Sequence, residues 1–253
     1  MMLTVGSLFS GIGGIELGLE RTGGFKTIWQ AEIEPFPSNQ ILPKHWKDVP
    51  NIGDVTKGRW LQYERPDLLC GGFPCQPVSL SGRRLTQEDP RWLWPIFRQG
   101  IRILGPRYIL VENVPGLLSS GMGDVLGDLA DLGYDAEWQS IPAAFVGAPH
   151  LRYRVFIVAY PNGKQWVKGA EIQTGVFRKS FQEEVQRFWS DKHHGSISGR
   201  LLPAIPPEYC RMDDGFPTEL DEARLKALGN AVVPQVAQWI GEQILRFDKE
   251  VSH

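Results

Sequence analysis

Leu3-Thr4-Val5-Gly6-Ser7-Leu8-Phe9, then Ser10-Gly11-Ile12-Gly13-Gly14, then Ile15-Glu16-Leu17-Gly18-Leu19-Glu20 reads as strand, tight turn and helix. The first segment is apolar, with Val and Thr. The glycines break it, and the third segment has helical apolar spacing. The same alternation continues outward. Strands are predicted at Phe25–Ala31, ending at Glu32, and at Val49–Val55, ending near Asp54. A brief apolar run, Asp67–Cys70, stops at Gly71-Gly72-Phe73-Pro74-Cys75. Arg107–Val111 ends at Glu112-Asn113-Val114-Pro115, and Arg154–Ala159 is a late, fully apolar strand. Met122–Leu132 reads as a helix with Val125, Leu126, Leu129 and Leu132 on one face. Strands alternating with helices predict an α/β domain with a mostly parallel sheet.

The pattern breaks between Tyr160 and about Arg211, a polar stretch interleaved with Trp166, Phe177, Phe181, Phe188 and Trp189. This is expected to be a small second module, its aromatics serving as core. Regularity returns with a helix over Glu219–Leu228, stopped by Gly229. A last helix opens at Pro234 and runs to about Phe247, with Val236, Ile240 and Ile244 inward. The 253 residues suit one large domain with a small appendage, and a 42% hydrophobic content excludes a disordered chain. No apolar run reaches the roughly 20 residues of a membrane helix, and the N-terminus does not read as a signal peptide. Three cysteines cannot build a disulfide framework, which fits a reducing cytosol. Nor do His193-His194 have Cys or acidic partners at metal-ligand spacing.

In open α/β sheets, ligands gather at the carboxyl ends of the strands. The suggestive residues fall there: the glycine turn, Glu32, Asp54, the Pro74-Cys75 loop and Glu112. A dinucleotide fingerprint would need a third glycine where Glu16 stands, which disfavours NAD. Glu32 is placed to bind ribose hydroxyls, or is an ordinary end-of-strand acid. Asp54 could accept from an adenine amino group, or close a Gly-Asp turn. Cys75, between two prolines in a loop, suits a positioned thiolate nucleophile, whereas Cys70 reads as buried and Cys210 as structural. Glu112, ending a buried strand, should have a raised pKa and be able to donate a proton. Arg152 and Arg154 alternate as the chain enters a strand, so both should point to one face and hold an acceptor oxygen or a phosphate.

These segments, in this order, resemble the DNA (cytosine-5)-methyltransferases, bacterial or phage type. Phe9-Ser10-Gly11-Ile12-Gly13-Gly14 resembles their cofactor motif, Gly72-Phe73-Pro74-Cys75-Gln76 the nucleophile loop and Glu112-Asn113-Val114 the acid motif. Gln139–Arg154, with Gly147-Ala148-Pro149 and Arg152-x-Arg154, resembles the arginine motif. Arg211–Pro217 resembles the block that closes the target-recognition region, and Leu228-Gly229-Asn230-Ala231-Val232-Val233-Pro234 the final motif. The resemblance implies a Rossmann-like, doubly wound sheet, mostly parallel, with helices on both faces. It implies a catalytic domain at 1–159, a target-recognition module at 160–217, and C-terminal helices at 218–253 packing back on the first. The recognition region is shorter than is usual for the family.

The implied cofactor is S-adenosylmethionine, released as S-adenosylhomocysteine. Phe9, Ser10, Gly11, Gly13 and Gly14 would line it, with Glu32 on the ribose and Asp54, beside Val55, on the adenine. Leu93, Asn230 and Ala231 would complete the site. Ile33 stands where many members carry a bulky aromatic against the adenine. The implied catalytic set is Cys75, Glu112, Arg154 and Arg152, with Pro74 and Asn113 shaping the loops. The expected substrate is cytosine flipped out of double-stranded DNA, modified by a monomer in the cytoplasm of a bacterial host. A cognate restriction endonuclease leaves no trace in the sequence. One branch of the family methylates tRNA, so RNA cytosine is the nearest alternative. A non-catalytic DNA-binding homologue would be expected to lose Cys75 or Glu112.

The net charge of −2 conceals a division. Residues 152–211 carry a balance of +5 and residues 83–107 one of +4, against −11 elsewhere. Those two segments would grip a duplex while an acidic remainder limits non-specific binding.

Overall fold

The computed structural model describes residues 2–74, 92–148, 150–162 and 218–251, with side chains for all of these but 218–222. Cys75, Pro149, His193-His194, Arg211–Pro217, the 163–217 stretch and residues 83–91 of the first basic segment lie outside the described residues.

Six strands form one sheet: β1 (Leu3–Leu8), β2 (Phe25–Ala31), β3 (Leu68–Gly71), β4 (Tyr108–Asn113), β5 (Tyr134–Pro142) and β6 (Tyr153–Pro161), in the order β2-β1-β3-β4-β6-β5. The β1–β2, β1–β3 and β3–β4 pairs are parallel. β6 runs antiparallel to both β4 and β5, so it alone is reversed. This is the mostly parallel, doubly wound sheet expected from the strand–helix alternation.

Both faces are covered. On one, α1 (Gly14–Arg21) and the last helix, α6 (Pro234–Val251), pack Ile15, Leu19, Val236, Ile240 and Ile244 against Val5, Leu68, Leu110 and Val158. On the other, α3 (Trp94–Leu104) and α4 (Met122–Asp131) set Phe97, Ile101, Val125 and Leu129 against Leu69, Ile109, Val111 and Ile157. The strands are buried on both faces, which is why they read as continuous apolar runs. Cys70 is fully buried, and burial pushes its thiol well up. A short helix, α2 (Leu42–His45), and the helix α5 (Thr218–Asn230) complete the described α-helices. Tyr108 donates to Asp248 at 2.8 Å, and Arg107 also pairs with that carboxylate, anchoring α6 to the start of β4.

Four sequence expectations need correction. Val49–Val55 is not a strand. Only Asn51 bridges β2, at Gln30. Pro50 has no amide to donate, Gly53 turns at φ 71°, and Asp54 caps a short 3-10 turn over Val55–Lys57. Conversely, β5 was not anticipated. Its sequence, YDAEWQSIP, shows no clean alternation, and Trp138 remains 45% exposed on this sheet-edge strand. Its nine-residue pairing with β6 holds it, a non-local interaction with no local signature. α5 runs through Gly229 to Asn230 instead of ending at Leu228. Finally, Arg152 stands just before β6 with φ 27°, outside the strand whose alternation predicted its direction, although it lines a small pocket together with Arg154.

The closest approach between helices depends on Gly18. A Cβ there would lie 2.2 Å from the Pro234 carbonyl oxygen and 2.6 Å from Ala237 Cβ. Gly18→Ala should therefore cost about 2 kcal/mol through overpacking, lowering Tm by roughly 4–8 °C. Gly127→Ala, on the exposed side of α4 with open space around it, should instead raise stability by about 0.5–1 kcal/mol. Equal thermal shifts in the two variants would contradict this packing.

Candidate active site

The parallel strands end along one edge, and the reversed β6 begins there. That edge opens into a cavity of about 1050 Å³. This is at the upper end of the roughly 300–1,000 Å³ of small-molecule sites.

The glycine turn forms one wall. Phe9 leaves β1 with φ 55°, a conformation rare for a side chain of its size, and Gly11 and Gly13 follow at 55° and 80°. The turn hangs from the end of β2: Ser10 N–H donates to the Ala31 carbonyl at 3.0 Å, and the Ser10 hydroxyl donates to Ser7 Oγ at 3.0 Å. Phe9, Ser10, Gly11 and Gly14 line the cavity. Gly13 does not: it caps α1 above Trp46. A Cβ at Gly14 would meet the Val232 carbonyl oxygen at 2.4 Å, so the turn fits closely against the α5–α6 connection. Glu16, where a dinucleotide fold would need glycine, is fully buried and accepts from Gln30 Nε2 at 3.2 Å.

Glu32 ends β2 and is 8% exposed. Its Oε2 accepts from Gly11 N–H at 2.6 Å and its Oε1 from Glu34 N–H at 2.7 Å. A carboxylate accepts about four hydrogen bonds, so hydroxyl donors from the cavity can still be taken. Ile33 lines the same wall although 66% exposed, and the half-buried Phe36 stands beside it. Across the cavity, the Thr56 hydroxyl and amide both donate to Asp54 Oδ1 and hold its carboxyl below the usual range. Val55, Leu93, Asn230 and Ala231 complete this half. Carboxylates for hydroxyl and amine donors, apolar side chains for a flat ring and a glycine turn without Cβ atoms form a donor set that fits an adenosyl cofactor. Among the described residues, no cluster of three or more His, Cys, Asp or Glu could hold a metal.

The other half lies where β3, β4 and β6 meet. Glu112 is 7% exposed at the end of β4, and its Oε1 pairs with Arg154 Nε at 2.9 Å. Burial pushes its carboxyl up to about 7, although the Arg154 and Arg152 guanidiniums pull it down. Desolvation thus outweighs two positive neighbours. A Cβ at Gly72 would lie 2.6 Å from Glu112 Oε2, so glycine leaves that oxygen its space. Asn113 is buried, and its Nδ2 donates to the Phe73 carbonyl at 3.3 Å. Pro74, immediately before Cys75, lines the cavity with Asn113 and Val114.

Arg152 is placed differently from its sequence expectation. It donates to the carbonyls of Gly229 at 2.6 Å and Ala231 at 2.8 Å, the residues flanking Asn230. It does not line the main cavity. Sequence reasoning also missed Phe36, Lys226 and Asn51. Lys226 lines the cavity and pairs with Glu34 at 2.8 Å. Aromatic character four residues past Glu32 was the only available signal for Phe36.

Comparisons with known proteins bear on the family and the fold. Residues 3–209 match the family described as C-5 cytosine-specific DNA methylase. The chain is 35% identical over 222 residues to the type II methyltransferase M.MspI of Moraxella sp., covering 85% of this chain and 50% of that protein. It is likewise 35% identical over 216 residues to the type II methyltransferase M.NgoMIV of Neisseria gonorrhoeae, covering 81% and 69%. The chain spans half or less of the length of several curated relatives it matches, 36–50% of each. Among solved structures, a prophage-encoded Escherichia coli protein described as a DNA modification methyltransferase aligns over 98% of this chain and 99% of its own. Its TM-score is 0.63 at 18% identity, a likeness of fold.

The Glu112 carboxyl sets a pH dependence. Its folded pKa lies above the ordinary 4.5, so between pH 4.5 and about 7 the folded protein keeps a proton that the unfolded chain has lost. Stability from this group is complete below the lower value and is lost as pH rises through the upper. The decline should amount to roughly 3 kcal/mol at most, at about 1.4 kcal/mol per pH unit. Between pH 5 and 8, Tm should therefore fall more steeply in the wild type than in Glu112→Gln. Parallel curves would refute the burial argument.

Proposed function

The chain belongs to the C-5 cytosine-specific DNA methylase family, and we propose that it transfers a methyl group from S-adenosylmethionine to C5 of a cytosine flipped out of double-stranded DNA. The observation that carries this reading is a single cavity. It joins the glycine turn and Glu32 on one side to the buried Glu112–Arg154 pair and Pro74 on the other. In this reading Phe9, Gly11, Glu32, Ile33, Asp54 and Asn230 hold the cofactor, which supplies an electrophilic methyl group.

The remaining chemistry belongs to the chain. The Cys75 thiolate adds to C6, forming a C–S bond and shifting electron density onto C5. Glu112, kept largely protonated below pH 7 by burial, donates to N3 and accepts from the exocyclic amine. Arg154 holds that carboxyl and steadies the O2 side of the ring. C5 then takes the methyl group, a base removes the C5 proton, and its electron pair re-forms the double bond as the C–S bond to Cys75 breaks. The base must leave the stack first, at a cost of a few kcal/mol. Arg152 serves as a brace for the α5–α6 connection. Residues 160–217 form the segment that reads the target. The family description, which names DNA, favours duplex DNA over RNA.

Cys75→Ser should lose methyl transfer by at least about a thousandfold while S-adenosylhomocysteine binding stays within twofold of wild type. Duplex DNA carrying 5-fluorocytosine, which has no C5 proton to lose, should trap the chain as an adduct stable to denaturing electrophoresis. Unchanged turnover in the serine variant, or no adduct under turnover conditions, would overturn attack at C6.

A further inference from the structure

Among the described residues, β2 is an edge strand, and its outer side has no strand partner. A fragment of ladder stands there instead. Gln30 N–H donates to the Pro50 carbonyl at 3.0 Å, and Ile52 N–H donates to the Gln30 carbonyl at 2.7 Å. The ladder then stops. The next residue whose backbone groups face that side is Glu32, which carries the carboxylate at the cavity. Its backbone groups are met by a side chain. Asn51 Oδ1 accepts from Glu32 N–H at 3.0 Å, and Asn51 Nδ2 donates to the Glu32 carbonyl at 3.0 Å. One amide thus replaces one peptide unit of a missing strand.

The same oxygen has a second task. Asn51 Oδ1 also accepts from Gly53 N–H at 3.0 Å, closing the turn that carries the chain into Asp54. A single side chain therefore ties together the backbone of Glu32 and the turn that leads into Asp54, and both acids line the cavity. Asparagine suits this place specifically. Aspartate cannot donate to the Glu32 carbonyl, and serine cannot span both groups. Asn51 itself is exposed, so its truncation opens no hole in the core.

We propose that Asn51 is a positioning residue of the cofactor site, fixing the Glu32 carboxylate by tying the end of β2 to the turn at Gly53. It touches no cofactor atom and acts through Glu32. The proposal rests on the cofactor reading above.

The test is a double-mutant cycle read by calorimetric binding of S-adenosylhomocysteine, which needs neither DNA nor turnover. Asn51→Ala should weaken binding about tenfold, and Asn51→Asp by a similar factor, while Tm moves by less than about 4 °C. In a Glu32→Ala background, Asn51→Ala should weaken binding by less than about twofold, because the group it positions is gone. Unchanged affinity in Asn51→Ala overturns the proposal. So does full additivity with Glu32→Ala, or a loss of affinity that merely follows a collapse of Tm. A wild-type chain that binds no S-adenosylhomocysteine overturns the cofactor reading and this proposal together.

Discussion

The site depends on one carboxyl held between two opposed forces. Glu112 is buried at the end of β4, where desolvation favours its neutral form, and it faces the guanidinium of Arg154, which favours the charged form. Desolvation outweighs the guanidinium, and the carboxyl is pushed up to about 7. That balance is a product of topology. An all-parallel sheet would bring only carboxyl ends of strands to the cavity. The reversal of β6 brings an amino end there as well, and Arg154 with it. Gly72 follows from the same constraint, because any side chain would occupy the space of Glu112 Oε2.

The cofactor half is built on a different principle. Here the sheet runs out, and hydrogen bonds from side chains and turns replace the ladder. Glu32 Oε2 receives the Gly11 amide and so ties the end of β2 to the glycine turn. Asn51 completes the backbone bonding of Glu32 from the outer side. Arg152 does the equivalent for the carbonyls around Asn230. Each is a polar side chain satisfying main-chain groups at an element's end, where the backbone has no regular partner. The strained Phe9 sits in the middle of this arrangement, consistent with strain persisting where surrounding contacts over-determine it.

The parts of this design with local signatures were legible in the sequence. The strand–turn–helix opening, the doubly buried strands and the clustering of Glu32, Pro74 and Glu112 at strand ends all rest on composition and short-range period. The rest depends on contacts between distant residues. β5 exists because β6 pairs with it, and its own residues give little sign of a strand. Val49–Val55 has strand-like residues, but Pro50 and Gly53 limit it to one bridge. Arg152 lies one residue short of β6, where strand alternation does not apply, yet it lines a small pocket beside Arg154. Asn51, inside the expected Val49–Val55 strand, gave no local sign of its role, which is visible only when Glu32 stands beside it.

The central claim is the chemical position of the transferred methyl group. Nucleoside mass spectrometry of duplex DNA, and separately of RNA, after incubation with the chain and a deuterium-labelled methyl donor tests it most directly. The account requires labelled 5-methylcytosine in the DNA. Label on the exocyclic N4 of cytosine or on adenine, or label confined to the RNA, would contradict it.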